Sequence, residues 1–200
     1  MKRIILSLIV LALAGTVAIG ATRAYFSDTE TSTGNTFSAG TLDLKTGGGD
    51  SNITMFTVTN TYPGASGSAT VALKNDGNIN GFVDLQPITL LDEENGCNEP
   101  EIAEESGCTG NTNGELSANM NVEMFIDSNG NGIKDAGENV YTGLLSGIST
   151  AGYDSSIALD STVIKNFIVN WSITTTATNN IQSDKKTLGL TFELGQTTGQ

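Results

Sequence analysis

Residues 120–138 read MNVEMFIDSNGNGIKDAGE. In the first half Met120, Val122, Met124 and Ile126 alternate with Asn121, Glu123 and Phe125, a period of two that predicts a half-buried β-strand. The second half, Asp127 to Glu138, matches the calcium-loop pattern D-x-[DN]-x-[DN]-G-x5-E at every position. In an EF-hand that loop would follow a helix; here it follows a strand. The stretch therefore predicts a β-domain carrying a strand-flanked calcium loop. Asp127, Asn129 and Asn131 would offer side-chain oxygens, Ile133 its carbonyl, Asp135 a direct or water-mediated contact, and Glu138 a bidentate carboxylate. Gly132 permits the sharp turn. The competing reading is an Asn/Gly/Asp turn satisfied by its own hydrogen bonds. A structural Ca²⁺ of modest affinity is the expectation, because only three of the ligands are charged.

The same period recurs on both sides. Ala69, Val71 and Leu73 alternate with Thr70, Ala72 and Lys74, and Asn75-Asp76-Gly77 follows as a turn signal. Phe82 to Leu91 reads as a strand interrupted at Pro87, which suits an edge or a bulge. Ile53 to Thr59, Ser156 to Leu159, Val163 to Ile173 and Thr187 to Leu194 read as further strands. Phe167, Val169, Trp171 and Ile173 line one face, and so do Leu188, Leu190, Phe192 and Leu194. Val140 to Ile148 is the one place where a short helix is expected. Short strands at regular spacing define an all-β fold, a jelly-roll-like β-sandwich. The glycine run Gly47-Gly48-Gly49 reads equally as a flexible joint or as a hairpin loop.

Composition narrows the function. The 200 residues carry 22 acidic and nine basic side chains, for a net charge of -13, and no histidine. Such a chain will not bind a nucleic-acid backbone, and it attracts divalent cations. Without histidine there is no Ser-His-Asp or Cys-His nucleophile and no H-E-x-x-H zinc site. No enzymatic activity is expected.

The N-terminus reads as a secretory signal peptide, residues 1–24. Met1-Lys2-Arg3 is a positive start, Ile4 to Ile19 is apolar, and small residues close the segment. Cleavage is expected between Ala24 and Tyr25 by signal peptidase, with Ala21 as the runner-up. The apolar run is short for a membrane span, which needs about 20 residues. The exported chain would be a single domain, 25–200, located outside the cell in a matrix or at the cell surface.

Ala24 to Leu44, AYFSDTETSTGNTFSAGTLDL, opens on Tyr25 and Phe26, continues through a polar run, and closes on Phe37 and the alternating Leu42 and Leu44. A hydrophobic leader, then A-[YF]-F-S-D, then N-T-F-x-A-G-T-L-D-L resembles the mature start of the TasA/camelysin family of biofilm matrix proteins. The resemblance continues more weakly through Pro63-Gly64 and Lys74-Asn75-Asp76-Gly77. In the acidic Cys-containing loop it looks most like archaeal-type branches. The resemblance implies a secreted β-sandwich that polymerises head to tail into fibres, its N-terminal strand donated to a neighbouring copy. Residues 25–44 would then be the donor strand segment and first strand, with Tyr25, Phe26 and Phe37 as anchors. Expected partners are other copies of the chain and other matrix or cell-surface components. Some camelysin relatives are described as metalloproteases, a class that the missing histidine disfavours. The competing class is a calcium-binding adhesin or envelope coat protein that does not polymerise.

Cys97 and Cys108 flank an acidic loop, CNEPEIAEESGC. In an exported protein two cysteines most simply form one disulfide, which contributes roughly 2–3 kcal/mol by loop-closure entropy. Glu99, Glu101, Glu104 and Glu105 within the loop are candidates for a second metal site, against the commoner outcome of a solvated acidic loop. Asn52-Ile53-Thr54 and Asn170-Trp171-Ser172 carry the glycosylation pattern.

Overall fold

Alternation becomes burial along the central strands. In β2 (Ser66–Asn75) Val71 and Leu73 are buried while Thr70 is exposed, and in β5 (Met120–Asp127) Val122, Met124 and Ile126 are buried. A computed structural model describes residues 2–21, 39–49, 61–105, 108 and 113–199, excepting the side chains of 14–21. The chain divides into two units, residues 1–38 and 39–200. In the first, Lys2–Ala21 form a helix, α1. No helix among the described residues is long and apolar enough to cross a membrane.

The second unit is built from antiparallel sheets, the all-β sandwich expected from the pattern. The larger sheet has five strands in the order β1 (Leu44–Thr46), β2, β8 (Ile164–Ile173), β5 and β6 (Asn139–Leu144). The second has three, β10 (Phe192–Gly195), β3 (Gly81–Leu85) and β7 (Tyr153–Leu159). Register aligns the large apolar side chains in rows across the first sheet. Val71 pairs with Phe167 and Phe167 with Ile126; Val169 pairs with Met124. These rows meet Val83, Leu85, Ile157 and Leu159 of the smaller sheet in one core. Phe167 of β8 and Phe192 of β10 stand edge to face, ring centres 4.9 Å apart, an arrangement that adds to the burial of both rings.

Two expected strands each become two. Pro87 cannot donate to a ladder, so the chain leaves β3 there and resumes as β4 (Thr89–Glu93). The expected strand 187–194 breaks at Leu190–Thr191 into β9 (Lys185–Gly189) and β10. The breaks face each other: β3 pairs with β10, β4 with β9, and Gln86 N–H donates to the Thr191 carbonyl at 2.9 Å across the bend. The result is one long ribbon whose far half forms a separate two-stranded sheet. The helix expected over 140–148 is absent. Asn139–Leu144 extend the β5 hairpin instead, and only Leu145–Gly147 make a single 3₁₀ turn. Val140 and Tyr141 are better strand than helix residues, and the hairpin partner β5 decides the matter.

Gly47 and Gly48 take φ of 59° and 91°, and Thr46 and Gly49 exchange hydrogen bonds of 2.9 and 3.2 Å. This is a tight turn at the end of β1, the hairpin-loop alternative rather than a joint. The strand expected over 53–59, Asn52, and the anchors Tyr25, Phe26 and Phe37 with the Ala24 cleavage position all lie outside the described residues.

Candidate cation sites and the N-terminal tether

Residues 41–46 are bound to the Asn75–Gly77 turn rather than simply adjoining it. Asp76 N–H donates to the Asp43 carbonyl at 2.7 Å, and the Asn78 and Ile79 amides donate to the Thr41 carbonyl at 3.0 and 3.3 Å. Thr41 N–H returns a bond to Asn78 Oδ1 at 2.7 Å. Two glycines allow the approach. A Cβ on Gly77 would overlap the Thr41 carbonyl and lie 2.9 Å from Asp43 N, and one on Gly40 would overlap Ile79. The turn is itself anchored from inside by Asn75, fully buried, whose amide donates to the Ile79 and Leu159 carbonyls and whose Oδ1 accepts from Gly77 N–H. Sequence reading took Asn75 for a turn residue; its role as a buried strut has no local signature.

The 127–138 loop joins β5 to β6. Asp127, 3% exposed, accepts from Gly130 and Asn131 through Oδ1 and from Gly132 through Oδ2. Glu138, 5% exposed, spans the loop, accepting from Ser128 N–H at 2.7 Å and Asp135 N–H at 3.0 Å. Asn131 N–H donates to Asn129 Oδ1, and Ile133 N–H to Asn131 Oδ1. Both Asn amides donate to Asp135 Oδ2, at 2.6 and 2.8 Å. Gly130, Gly132 and Gly137 are all at positive φ. Lys134 ties the loop to the hairpin through Glu123 at 2.6 Å, holding that carboxyl below its usual range, and through Thr142. All six expected ligand residues thus share one wound loop. The carboxylates of Asp127, Asp135 and Glu138 nevertheless do not converge as a trio, because each is spent on loop N–H groups.

A second acidic cluster does converge, at the tip of the β4–β9 ribbon. Oxygens of Glu94, Glu105 and Glu115 lie within 4.8 Å of one another, as do those of Glu94, Glu101 and Asp184. Five segments supply them: the end of β4, the short helix α2 (Glu99–Ile102), the turn after it, the residue before α3 (Leu116–Asn119), and the residue before β9. Glu101 is fully buried and locked by a capping box with Asn98. Its Oε2 accepts from Asn98 N–H at 3.2 Å and from the Ser183 hydroxyl at 2.7 Å. Asp184 Oδ2 accepts from Glu115 N–H at 2.6 Å and Leu116 N–H at 2.8 Å. Burial, reinforced by the neighbouring carboxylates, pushes Glu94 and Glu115 up to about 7 and Asp184 up to about 6.

Of the loop acids singled out in the sequence, Glu101 and Glu105 belong to this cluster. Glu99 and Glu104 are exposed, and Glu104 instead accepts from Asn179 N–H. Glu94, Glu115 and Asp184 were missed, for they stand up to 90 positions apart and carry no local motif. Cys97 and Cys108 are joined as a disulfide, Cα atoms 5.7 Å apart. Their sulfurs therefore lie near Glu101 without being thiolate ligands. Asn170, in mid-β8, donates to Glu123, a paired sheet position rather than a surface loop.

An antiparallel all-β sandwich with a wound acidic loop and residues 41–46 bound to the 75–79 turn is the class these features define. The whole chain, residues 1–200, matches the family described as camelysin metallo-endopeptidase, and the protein belongs to that TasA/camelysin-like family. At family level it is a biofilm-matrix-like protein. The match does not single out an archaeal-type branch. No curated protein matches the chain. The family description implies a metal, and the donors here do not fit a histidine-held catalytic zinc: the chain has no histidine, and among the described residues the converging groups are carboxylates and the disulfide-bonded Cys97 and Cys108.

Proposed function

We propose that the mature chain is a structural subunit of an extracellular biofilm-matrix fibre, secreted after cleavage near Ala24, joined to its neighbours by N-terminal strand donation and stabilised by Ca²⁺ in the 127–138 loop. The observation that carries the reading is the tether. Thr41–Thr46 are fixed to the Asn75–Gly77 turn and to β2, and the unit boundary falls at Ser38, just after the aromatic-led stretch. A tether at that point lets the preceding residues extend to another subunit without disturbing the core. A candidate recipient edge can also be named. Among the described residues β2 pairs with β8 over nine positions but with β1 over only three, so Ser66–Val71 are bonded to β8 alone. Extended backbone added at such an edge gains main-chain hydrogen bonds, and aromatic anchors fix the register. The contact is heterologous and does not close, so it propagates as a filament.

Calcium fits the loop's donor types, hard oxygens on a preformed turn; Asp127 and Glu138, whose oxygens accept loop N–H groups in the ion-free loop, would turn toward the ion on binding. The role is structural, and we infer no catalysis, since the His-dependent nucleophile and zinc systems rely on a side chain this chain lacks. Electron microscopy of protein beginning at Tyr25 against protein beginning at Thr36, at equal calcium, tests the reading. Filaments from the longer chain alone are expected. Equal filament yields from both would overturn strand donation in favour of a non-polymerising coat protein, and chelator-sensitive proteolysis by the purified protein would overturn the structural role.

A further inference from the structure

We propose that the tip of the β4–β9 ribbon is a second divalent-cation site, built from Glu94, Glu101, Glu105, Glu115 and Asp184 and selective for a hard ion of the Ca²⁺ class. The argument does not depend on filament formation or on the 127–138 loop.

Acidic residues often cluster without a ligand, but three further observations set this group apart. First, Glu101 is fully buried, and its Oε1 has no hydrogen-bond partner while Oε2 has two. A side chain that the capping box could have left in solvent is instead held inside with one oxygen unsatisfied, which costs about 1–3 kcal/mol if nothing occupies it. Second, the same division repeats around the cluster. Asp184 Oδ2 is held by two backbone N–H groups while Oδ1 is buried and unpartnered, and Glu94 Oε2 and Glu115 Oε2 are also buried without a partner. In Glu101 and Asp184 one oxygen orients the carboxylate and the other is left for a ligand, as in metal sites whose outer-shell partners fix the ligands. Third, among the described residues no basic side chain pairs with Glu94, Glu101, Glu115 or Asp184. The neighbouring Lys185 and Lys186 pair with Glu93 and Asp92, at 2.9 and 2.7 Å, and neither reaches Glu94, Glu101, Glu115 or Asp184.

The ligand class follows from the donors. All five are carboxylates, with no nitrogen and no thiolate, so the site favours calcium over zinc. Several bulky carboxylates around one centre suit the six to eight oxygens of Ca²⁺ better than the tight octahedron of Mg²⁺. Glu94 belongs to both trios and is the shared ligand. The frame is rigid where it must be: the Cys97–Cys108 disulfide closes the loop that carries Glu101, and Ser183, with φ of 62°, places its hydroxyl on Glu101.

The test uses the full mature chain carrying Glu138→Gln, which disables the 127–138 loop. Calorimetric titration with CaCl₂ should still show binding. Adding Glu94→Gln or Glu115→Gln, which keep shape and remove charge, should weaken it by at least about tenfold. Both should raise the melting temperature in chelator, since like-charge crowding is relieved, while abolishing the upward shift on adding CaCl₂. Absence of calcium binding to the Glu138→Gln chain, unchanged affinity in both double variants, or tighter binding of ZnCl₂ than CaCl₂ would each overturn the proposal.

Discussion

Replacing Gly77 by alanine tests whether the N-terminal tether is a structural joint or a loose contact. The added Cβ would overlap the Thr41 carbonyl oxygen and sit 2.9 Å from both Asp43 N and Leu42 Cα. All three are backbone atoms, so no side chain can swing aside. Two responses are open. If the tether holds, the turn must shift, and forcing an extra methyl into close-packed surroundings costs about 1–3 kcal/mol. If it lifts, the hydrogen bonds among Thr41, Asp43, Asp76, Asn78 and Ile79 are lost, five in number with the long one from the Thr41 hydroxyl; at about 1 kcal/mol each the penalty is similar or larger. The cheaper response sets the result, so Gly77→Ala should destabilise the mature domain by about 2–3 kcal/mol. Gly130→Ala is the control. Unlike Gly77, it has an unfavourable φ, 77°, but its Cβ would meet nothing within 4 Å, so only the left-handed backbone cost of about 1–2 kcal/mol applies. Urea unfolding of both variants, with m-values, gives the comparison. A Gly77→Ala protein within 0.5 kcal/mol of wild type, on the order of an ordinary surface change, would refute the tether.

Phe167→Ala removes a fully buried ring that crosses from the five-stranded sheet to Phe192; a loss of about 3–5 kcal/mol in urea unfolding is expected. Asp84 is buried against Asp154, with one oxygen accepting from Ser155 N–H and the other unpartnered. Burial and then the Asp154 charge raise its carboxyl above the usual range. The native state therefore takes up this proton first, so the contribution of Asp84 to stability grows as pH falls through the raised value and is lost as pH rises through it. Asp84→Asn keeps the acceptor and removes the charge. Thermal melts should find it at least as stable as wild type at pH 7, with the advantage gone near pH 3; a lower melting temperature at pH 7 would contradict this. Glu138→Gln should abolish most of the calcium-induced rise in melting temperature attributed to the 127–138 loop, read by calorimetry with and without chelator.

The strands were legible because period-two alternation is a local signal. Val71 and Leu73 in β2 and Met120, Val122, Met124 and Ile126 in β5 carry it and bury as the pattern predicts, while Phe125, on the opposite face of β5, buries as well. What failed were positions decided by partners far away. Nothing in residues 187–194 marks the break at Leu190. It is imposed by the opposite strand, which Pro87 interrupts, since two paired strands must bend together. Val140 to Leu144 lie in strand because β5 offers them a ladder. The wound 127–138 loop was legible for the same reason the strands were: its candidate ligands fall within twelve consecutive residues. The ribbon-tip cluster was half visible. Glu101 and Glu105 stand in the acidic loop, but Glu94, Glu115 and Asp184 come from other segments, and a carboxylate with a distant partner looks like any solvated acid in the sequence.

The charge balance of the mature domain links these features. Only six lysines follow Tyr25. Five of them form pairs, with Asp43, Asp76, Glu123, Glu93 and Asp92. The sixth, Lys165, donates to the hydroxyl of Ser128. None pairs with Asp127, Asp135 or Glu138, and none with Glu94, Glu101, Glu115 or Asp184. Exposed acids need no such partner, because water and counterions solvate them at little cost. Asp127, Glu138 and Glu101 are at most 5% exposed and do not have that recourse. The first two are compensated by backbone N–H groups converging from their own loop; Glu101 and Asp184 are compensated on one side only. The remaining charge there must be met by protons or by metal ions. A proton satisfies one oxygen at a time, whereas a divalent cation satisfies several at once and ties five chain segments together. On this account calcium stabilises the ribbon tip more than acidification does, because only the ion cross-links.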